Sequence, residues 1–350
     1  MGLRKKILIA VLILVVAAVA AVIVFISGFG SALDKDNTET VSLTIKSGYG
    51  TGTIGQVLAE KGIIDSVNEF KLWSRIKGYD SQYKAGTYTL SPSMDYQMIA
   101  DIIVGGRVNT AEFTIPEGYT IYQTAKALAE QGLGDYEKFV QIIEAGDFDY
   151  DFLADAQNNK NKLEGYLMPN TYIIEEGISE EEILKVMLNQ FEEDAYDAYV
   201  GHLAQSELGP SSKYSLNEIV VIASIIEREC KVDSERPLVA SVIYNRLEKG
   251  MALQMCSTVQ YVLGKQKEVL TITDTKIDSP YNTYINPGLP PGPIASPGMA
   301  SIKAALNPAD TDYLYFVVSE KLDGTSNFSA TYDKFLKDKA AYDKAYSAAN

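Results

Sequence analysis

The sequence predicts an α+β protein in three parts: an N-terminal transmembrane helix, small β-α-α-β modules, and a larger α+β domain built around a central helix pair. Three observations predict it. The first thirty residues contain a long uncharged apolar run, the first half of the chain repeats itself at an offset of 70 residues, and residues 215–250 read as two helices with a short joint. At 350 residues and 46% apolar content the chain is long enough for two or three compact units. The expected boundaries are 1–33 for a basic stub and anchor, 34–40 for a polar linker, 41–110 for a first module, 111–175 for a second, repeat-related module and connection, and 176–350 for the large domain.

Arg4, Lys5 and Lys6 precede an apolar run from Ile7 to Ile26. At about 1.5 Å per helical residue the run reaches roughly 30 Å, the thickness of a bilayer core. Signal peptides carry a shorter apolar region of about 7 to 15 residues, so the length favours a retained anchor, with Ala-rich Ala17 to Ala21 keeping cleavage open. The basic cluster lies before the span and places the N-terminus in the cytoplasm, giving a single-pass cell-membrane protein whose remaining residues are extracytoplasmic. A net charge of -15 with no Lys/Arg stripe excludes nucleic acid as an expected partner. Two cysteines, Cys230 and Cys256, are too few for a disulfide framework and leave either two separate thiols or one bridge.

Order resumes at Val41. Leu43 to Gly48 (LTIKSG) matches Phe113 to Gly118 (FTIPEG), and Leu58 to Gly62 (LAEKG) matches Leu128 to Gly132 (LAEQG) in the same register. Each copy reads as a β-branched strand, a Gly turn, an amphipathic helix ended by Gly62 or Gly132, and a second helix around Val67 to Lys77 or Tyr136 to Glu144. Ala85 to Leu90 reads as a returning strand and Tyr96 to Val104 as a further helix. Such a β-α-α-β unit resembles the LysM module, which implies a hold on N-acetylglucosamine-containing glycans. Gly48, Gly62, Tyr83 and Tyr88 serve either that hold or simply turns and core.

Leu163 to Tyr172 (LEGYLMPNTY) is a shaped loop leading into a strand at Thr171 to Ile174, with Glu164 and Asn170 expected to face a cleft. The acidic helix from Ser179 to Ala195 reads as a solvated face. Ser215 followed by Glu218 is a capping box, after which Ile219, Ile222, Ala223 and Ile226 mark a central, buried helix. Glu227 stands at its end, one turn beyond Ala223 and Ser224. A second helix enters through Asp233, Ser234 and Pro237, carries Val239, Val242, Ile243 and Leu247 on its apolar face, and stops at Gly250. Beyond it come Leu253 to Tyr261, Ser279 to Tyr284, and the Pro/Gly-rich stretch Gly288 to Gly298, an ordered loop of the kind that carries function. Leu314 to Ser319 reads as a buried strand closing the domain.

The one histidine, His202, lies far from any Ser or Cys motif, no His/Cys cluster has zinc spacing, and no Gly-rich loop leads to a Lys-Ser pair. No metal or cofactor is expected. Carboxylates remain. A carboxyl at the tip of an apolar helix face suits donation of a proton to a leaving oxygen, and Glu227 is the residue so placed.

The segments Ala223 to Glu229 (ASIIERE), Ser234 to Arg236, Tyr244 to Leu247, Leu253-Gln254, Tyr281 to Tyr284 and Gly288 to Gly292 resemble the signature of the MltG (YceG-like) endolytic murein transglycosylases, and the likeness extends over nearly the whole chain. The resemblance implies cleavage of the MurNAc-GlcNAc β-1,4 bond inside nascent peptidoglycan strands, with formation of a 1,6-anhydro ring and termination of strand growth. It makes Glu227 the catalytic acid/base. Gln254, Asn282 and Tyr284, with Glu164 and Ser224, become contacts to the glycan, and the Pro/Gly loop a cleft wall. One carboxyl suffices for such a reaction, whereas a hydrolase needs a second. Glu229, about 200° around the helix from Glu227, is a poor second and reads as a surface charge or salt bridge.

Tyr244, Asn245 and Arg246 either contact ligand or lock the two helices together, the latter being favoured. Three positions depart from the commonest family pattern: Cys256-Ser257 where Asp-Pro is frequent, Asn170 where Asp is usual, and Ser326-Asn327 where a His often precedes the aromatic at Phe328. The positions of Cys230 and Cys256 allow a bridge bracketing the site. The resemblance implies peptidoglycan glycan strands as partners, the membrane through the N-terminal helix, and peptidoglycan synthases. A non-catalytic glycan-binding membrane protein and a true muramidase using the same Glu227 are the alternatives.

Overall fold

The computed structural model describes residues 29–106, 110–159, 161–205, 209–267 and 269–349. The expected membrane span at residues 7–26 lies outside these. Among the described residues no helix is long and apolar enough to cross a membrane. Mixed helix and sheet is what the chain forms, divided into one unit of Met1–Ala111 with Ile173–Ile178 and another of Glu112–Tyr172 with Ser179–Asn350.

The first unit is the expected β-α-α-β run: β1 (Val41–Ile45), α1 (Thr51–Glu60), α2 (Val67–Lys77), β2 (Gly86–Leu90), then α3 (Tyr96–Gly105). β1 and β2 pair antiparallel from Val41↔Leu90 to Ile45↔Gly86. Alternation along β1 turns Leu43 and Ile45 inward, onto Ile54, Leu58, Phe70, Trp73 and Ile99. Ser66 and Asp95 cap α2 and α3 by accepting the backbone N–H of Glu69 and Met98. Gly48 and Gly62 take φ of +84° and +70°, and Tyr88 is wholly buried, so these three do turn and core work.

The repeat runs on through β3 (Thr110–Thr114), α4 (Ile121–Glu130), α5 (Tyr136–Ala145) and β4 (Thr171–Glu175), which pairs with β3. Here the return strand is delayed by an excursion over residues 146–170, and that excursion carries Glu164. α6 (Glu180–Phe191) follows, then a π turn, then α7 (Asp197–Leu203). The acidic residues of α6 crowd its first turn, where they suit the helix dipole, while Ile183, Leu184, Met187, Leu188 and Phe191 are buried.

α8 (Leu216–Glu229) is the central helix, opened by the Ser215/Glu218 capping box and buried from Ile219 through Ile226. α9 (Arg236–Glu248), α10 (Cys256–Leu263) and α11 (Met299–Leu306) pack around it. β5 (Tyr315–Val318) and β6 (Ser326–Ser329) form an antiparallel pair against which α12 (Tyr332–Ala349) lies, Phe335 stacking on Tyr315 at 5.4 Å.

Two expectations are corrected. The strand at Leu314 to Ser319 is half-buried rather than buried, because it belongs to a two-stranded ribbon with one covered face. Tyr244, Asn245 and Arg246 do not lock α9 to α8. Tyr244 Oη donates to the Ala305 carbonyl of α11 at 2.7 Å, Asn245 Nδ2 to Thr311 and Tyr313, and Arg246 to Leu314 and Leu253. Their polar ends reach carbonyls of α11 and of neighbouring segments instead.

Candidate active site

Three helix ends converge on Glu227. It lies in the last turn of α8, Arg236 opens α9, and Gly298 caps α11 with Ser301 three residues on. Glu227 Oε2 accepts from Arg236 Nη1 at 3.1 Å, from the Gly298 N–H at 3.1 Å and from Ser301 Oγ at 2.9 Å. Arg236 in turn reaches Ser301 Oγ and donates Nε to Asp233 Oδ1 at 2.9 Å. The side chains of Glu227 and Arg236 are only 7% and 8% exposed, so this is a nearly dry, charge-assisted cradle. All three donors fall on one oxygen. Glu227 Oε1 has no hydrogen-bond partner among the described residues.

A second carboxyl stands beside it. Glu117 packs against Gly298 so closely that a Cβ there would lie 1.7 Å from Glu117 Oε1. Its loop is fixed by the Gly118 N–H to the Ser296 carbonyl, the Ser296 N–H to the Tyr119 carbonyl (both 2.8 Å), and Arg228 Nη1 to the Gly118 carbonyl at 2.9 Å. Burial of the carboxyl, then the neighbouring charge of Glu227, push the Glu117 pKa up, with Arg236 pulling the other way. Sequence reasoning passed over Glu117, although the repeat held a signal: the matching residue of the first copy is Ser47.

The expected glycan contacts divide by burial. Gln254 is exposed, adopts φ +54°, and is held by its own N–H to the Thr283 carbonyl at 3.0 Å. Tyr284 is half-buried, its hydroxyl 3.1 Å from Cys256 Sγ. Glu164, Ser224 and Asn282 are instead bonded inside the fold. Glu164 is 1% exposed and accepts the Ile121 N–H and the Tyr261 hydroxyl, each at 3.1 Å, and burial pushes its pKa up to about 8. Ser224 Oγ donates to the Val221 carbonyl and accepts the Ile294 N–H, tying α8 to the Pro/Gly loop. Asn282 Nδ2 donates to the carbonyls of Thr275 and Ile277.

Glu229 is not a surface charge. It accepts the Ser257 N–H at 2.8 Å, capping α10, and burial raises its pKa. Asn170 Oδ1 accepts the Thr171 N–H at 2.8 Å, shaping the entry to β4. Cys230 and Cys256 are separate thiols, with Cys230 Sγ bonded to the Val232 carbonyl. His202 Nε2 meets Ser211 Oγ at 2.9 Å, but that hydroxyl donates to the Leu306 carbonyl and is committed to structure. Among the described residues no cluster could hold a metal ion.

The pattern that defines the YceG-like family matches residues 43–341. The chain belongs to the YceG-like family. It is 36% identical over 323 residues to a Bacillus subtilis protein named endolytic murein transglycosylase, covering 89% of this chain and 87% of that one. A Streptococcus pneumoniae protein of the same name is 32% identical over 313 residues, and there the chain spans 55% of the relative's length. A crystal structure of a yceG-like protein from Listeria monocytogenes superposes with a TM-score of 0.56 at 34% identity, covering 85% of this chain and 99% of that one. The likeness to YceG-like proteins thus takes in both the repeat and the central helices.

Proposed function

We propose that this YceG-like protein is an endolytic peptidoglycan lytic transglycosylase, cutting the MurNAc-GlcNAc β-1,4 bond within nascent strands and closing a 1,6-anhydro ring. The observation that carries the mechanism is the asymmetric cradle of Glu227. With Oε2 held by Arg236, Gly298 and Ser301, Oε1 gives its proton to the bridging oxygen as the C1–O bond breaks. The MurNAc C6 oxygen then bonds to C1, and its proton returns to Oε1. No water is consumed and no proton is left over. Gln254 and Tyr284 contact sugar, while Glu164, Ser224 and Asn282 brace the walls.

Anchoring by residues 7–26, glycan holding by the first β-α-α-β unit, termination of strand growth, and work beside peptidoglycan synthases belong to the same proposal, supported by the relatives' name and the apolar run.

A second reading, hydrolysis, is favoured by Glu117, a second carboxyl close enough to feel the charge of Glu227. Borohydride treatment of the fragments released from uncrosslinked strands separates the two. Reducible ends in excess of those the uncut strands carry mean hydrolysis; new ends that are unreactive and anhydro mean transglycosylation.

A further inference from the structure

The larger unit holds a cavity of about 890 Å³. Arg228, the residue after Glu227, lines it, and so do Pro291 and Ile294 of the loop that reaches Glu227 through Gly298. Its other cations are Lys126 and Lys265. Not one of its described lining residues is Asp or Glu, in a chain of net charge -15, so the cavity is a positive island on an acidic protein. Tyr122, Tyr136, Tyr261 and Tyr281 supply apolar faces with polar edges, and Gln123, Asn161, Gln260 and Gln266 supply amides.

Four acidic groups bond to lining residues without lining the cavity themselves. Glu130 pairs with exposed Lys126 at 3.7 Å, Glu144 accepts from Tyr122, and Glu164, with its pKa near 8, is mostly neutral at pH 7. Glu229 caps α10 beneath Ser257. The Lys126–Glu130 contact is an exposed helix pair and holds Lys126 only weakly.

A neutral sugar needs aromatic faces and amides but not three cations. We propose that this cavity binds the peptide carried by the MurNAc residue at the cleavage site, Lys126, Lys265 and Arg228 pairing with its carboxylates while the tyrosines pack its side chains. The inference rests on the peptidoglycan reading above. It makes the site a reader of the peptide as well as of the glycan.

The test is calorimetric binding by the full chain in detergent, using an uncleavable anhydro-disaccharide with its tetrapeptide and the same disaccharide stripped by an amidase. The peptide-bearing compound is expected to bind about tenfold tighter, an advantage of about 1.4 kcal/mol that shrinks with added salt. The Lys126→Ala/Lys265→Ala variant, altered only at exposed positions, is expected to lose most of that advantage. Equal affinity for the two compounds, or an advantage untouched in the variant, would overturn the proposal. So would inorganic pyrophosphate displacing the peptide-bearing compound more readily than free tetrapeptide does, since that would assign the cations to a lipid-linked phosphate. Strand cleavage by the native chain is assayed in parallel; its absence would sink the transglycosylase reading and leave the binding comparison intact.

Discussion

Arg236 Nη1 lies 3.1 Å from Glu227 Oε2, and fewer than a tenth of either side chain's surface meets solvent. Without the guanidinium, Oε2 loses a charged donor inside a nearly dry pocket, which destabilises by about 1 to 3 kcal/mol. Arg236→Ala is therefore expected to lower the melting temperature sharply and to abolish turnover. Arg236→Lys keeps a charge but cannot serve Glu227, Ser301 and Asp233 together, as the planar fork does. It is expected to recover most of the stability and little of the rate, read by thermal unfolding beside strand cleavage.

Gly298 and Glu117 form a second dependent pair. Gly298 has φ -76°, so alanine is allowed by the backbone, yet its Cβ would land on the Glu117 carboxyl. Gly298→Ala should displace Glu117 and lower turnover by up to about a hundredfold, the scale of a small misplacement at a reacting site. Glu117→Gln should do much the same. In the double variant the two losses should not add, because the second change finds its target already moved. Additive losses in cleavage rate would show that the two residues act separately.

Glu164 makes stability depend on pH. Its folded pKa, near 8, lies above the ordinary carboxylate value, so between the two the folded state binds more protons than the unfolded. Its stabilising contribution is complete in acid and drains away as pH rises toward 8, with a slope of at most about 1.4 kcal/mol per pH unit. Glu164→Gln keeps an acceptor for the Ile121 N–H and carries no charge. Denaturation series at pH 5 and pH 8 should show a variant close to native in acid and clearly more stable in base.

Gln254 holds a left-handed backbone at φ +54°, which costs a side-chain-bearing residue about 1 kcal/mol. Glycine removes that strain and the side chain together. Gln254→Gly is expected to gain roughly 0.5 kcal/mol of stability and to raise KM, a split that a purely structural glutamine would not produce.

The sequence made local features readable and left distant ones hidden. The Ser215/Glu218 capping box, the stop at Gly250 and the paired LAEKG/LAEQG helices each depend on a few neighbouring residues, so their elements fall where periodicity puts them. A strand at Thr171 is legible too; its pairing with β3 as the second copy's return strand is not, and neither is what the intervening excursion does. Its Glu164 passes beneath Ile121 and Tyr261, contacts set by tertiary packing. Glu227 could be singled out because a carboxyl ending an apolar helix is a local anomaly. Its cradle could not, since Arg236, Gly298 and Ser301 arrive from two other helices. Arg228 finds Gly118 across 110 residues of chain, and nothing in spacing or periodicity marks such a meeting. Glu229 reads as a surface charge for the complementary reason: its neighbours in sequence do not show that α10 stands against it.

Mass spectrometry of muropeptides released from uncrosslinked strands, comparing the native full chain with Glu227→Gln, tests the central claim most directly. Fragments ending in 1,6-anhydro-MurNAc from the native chain, and none from the variant, are the expected result. Anhydro-ended fragments produced by Glu227→Gln at the native rate would contradict the role given to Oε1, and reducing-end fragments from the native chain would replace ring closure with hydrolysis.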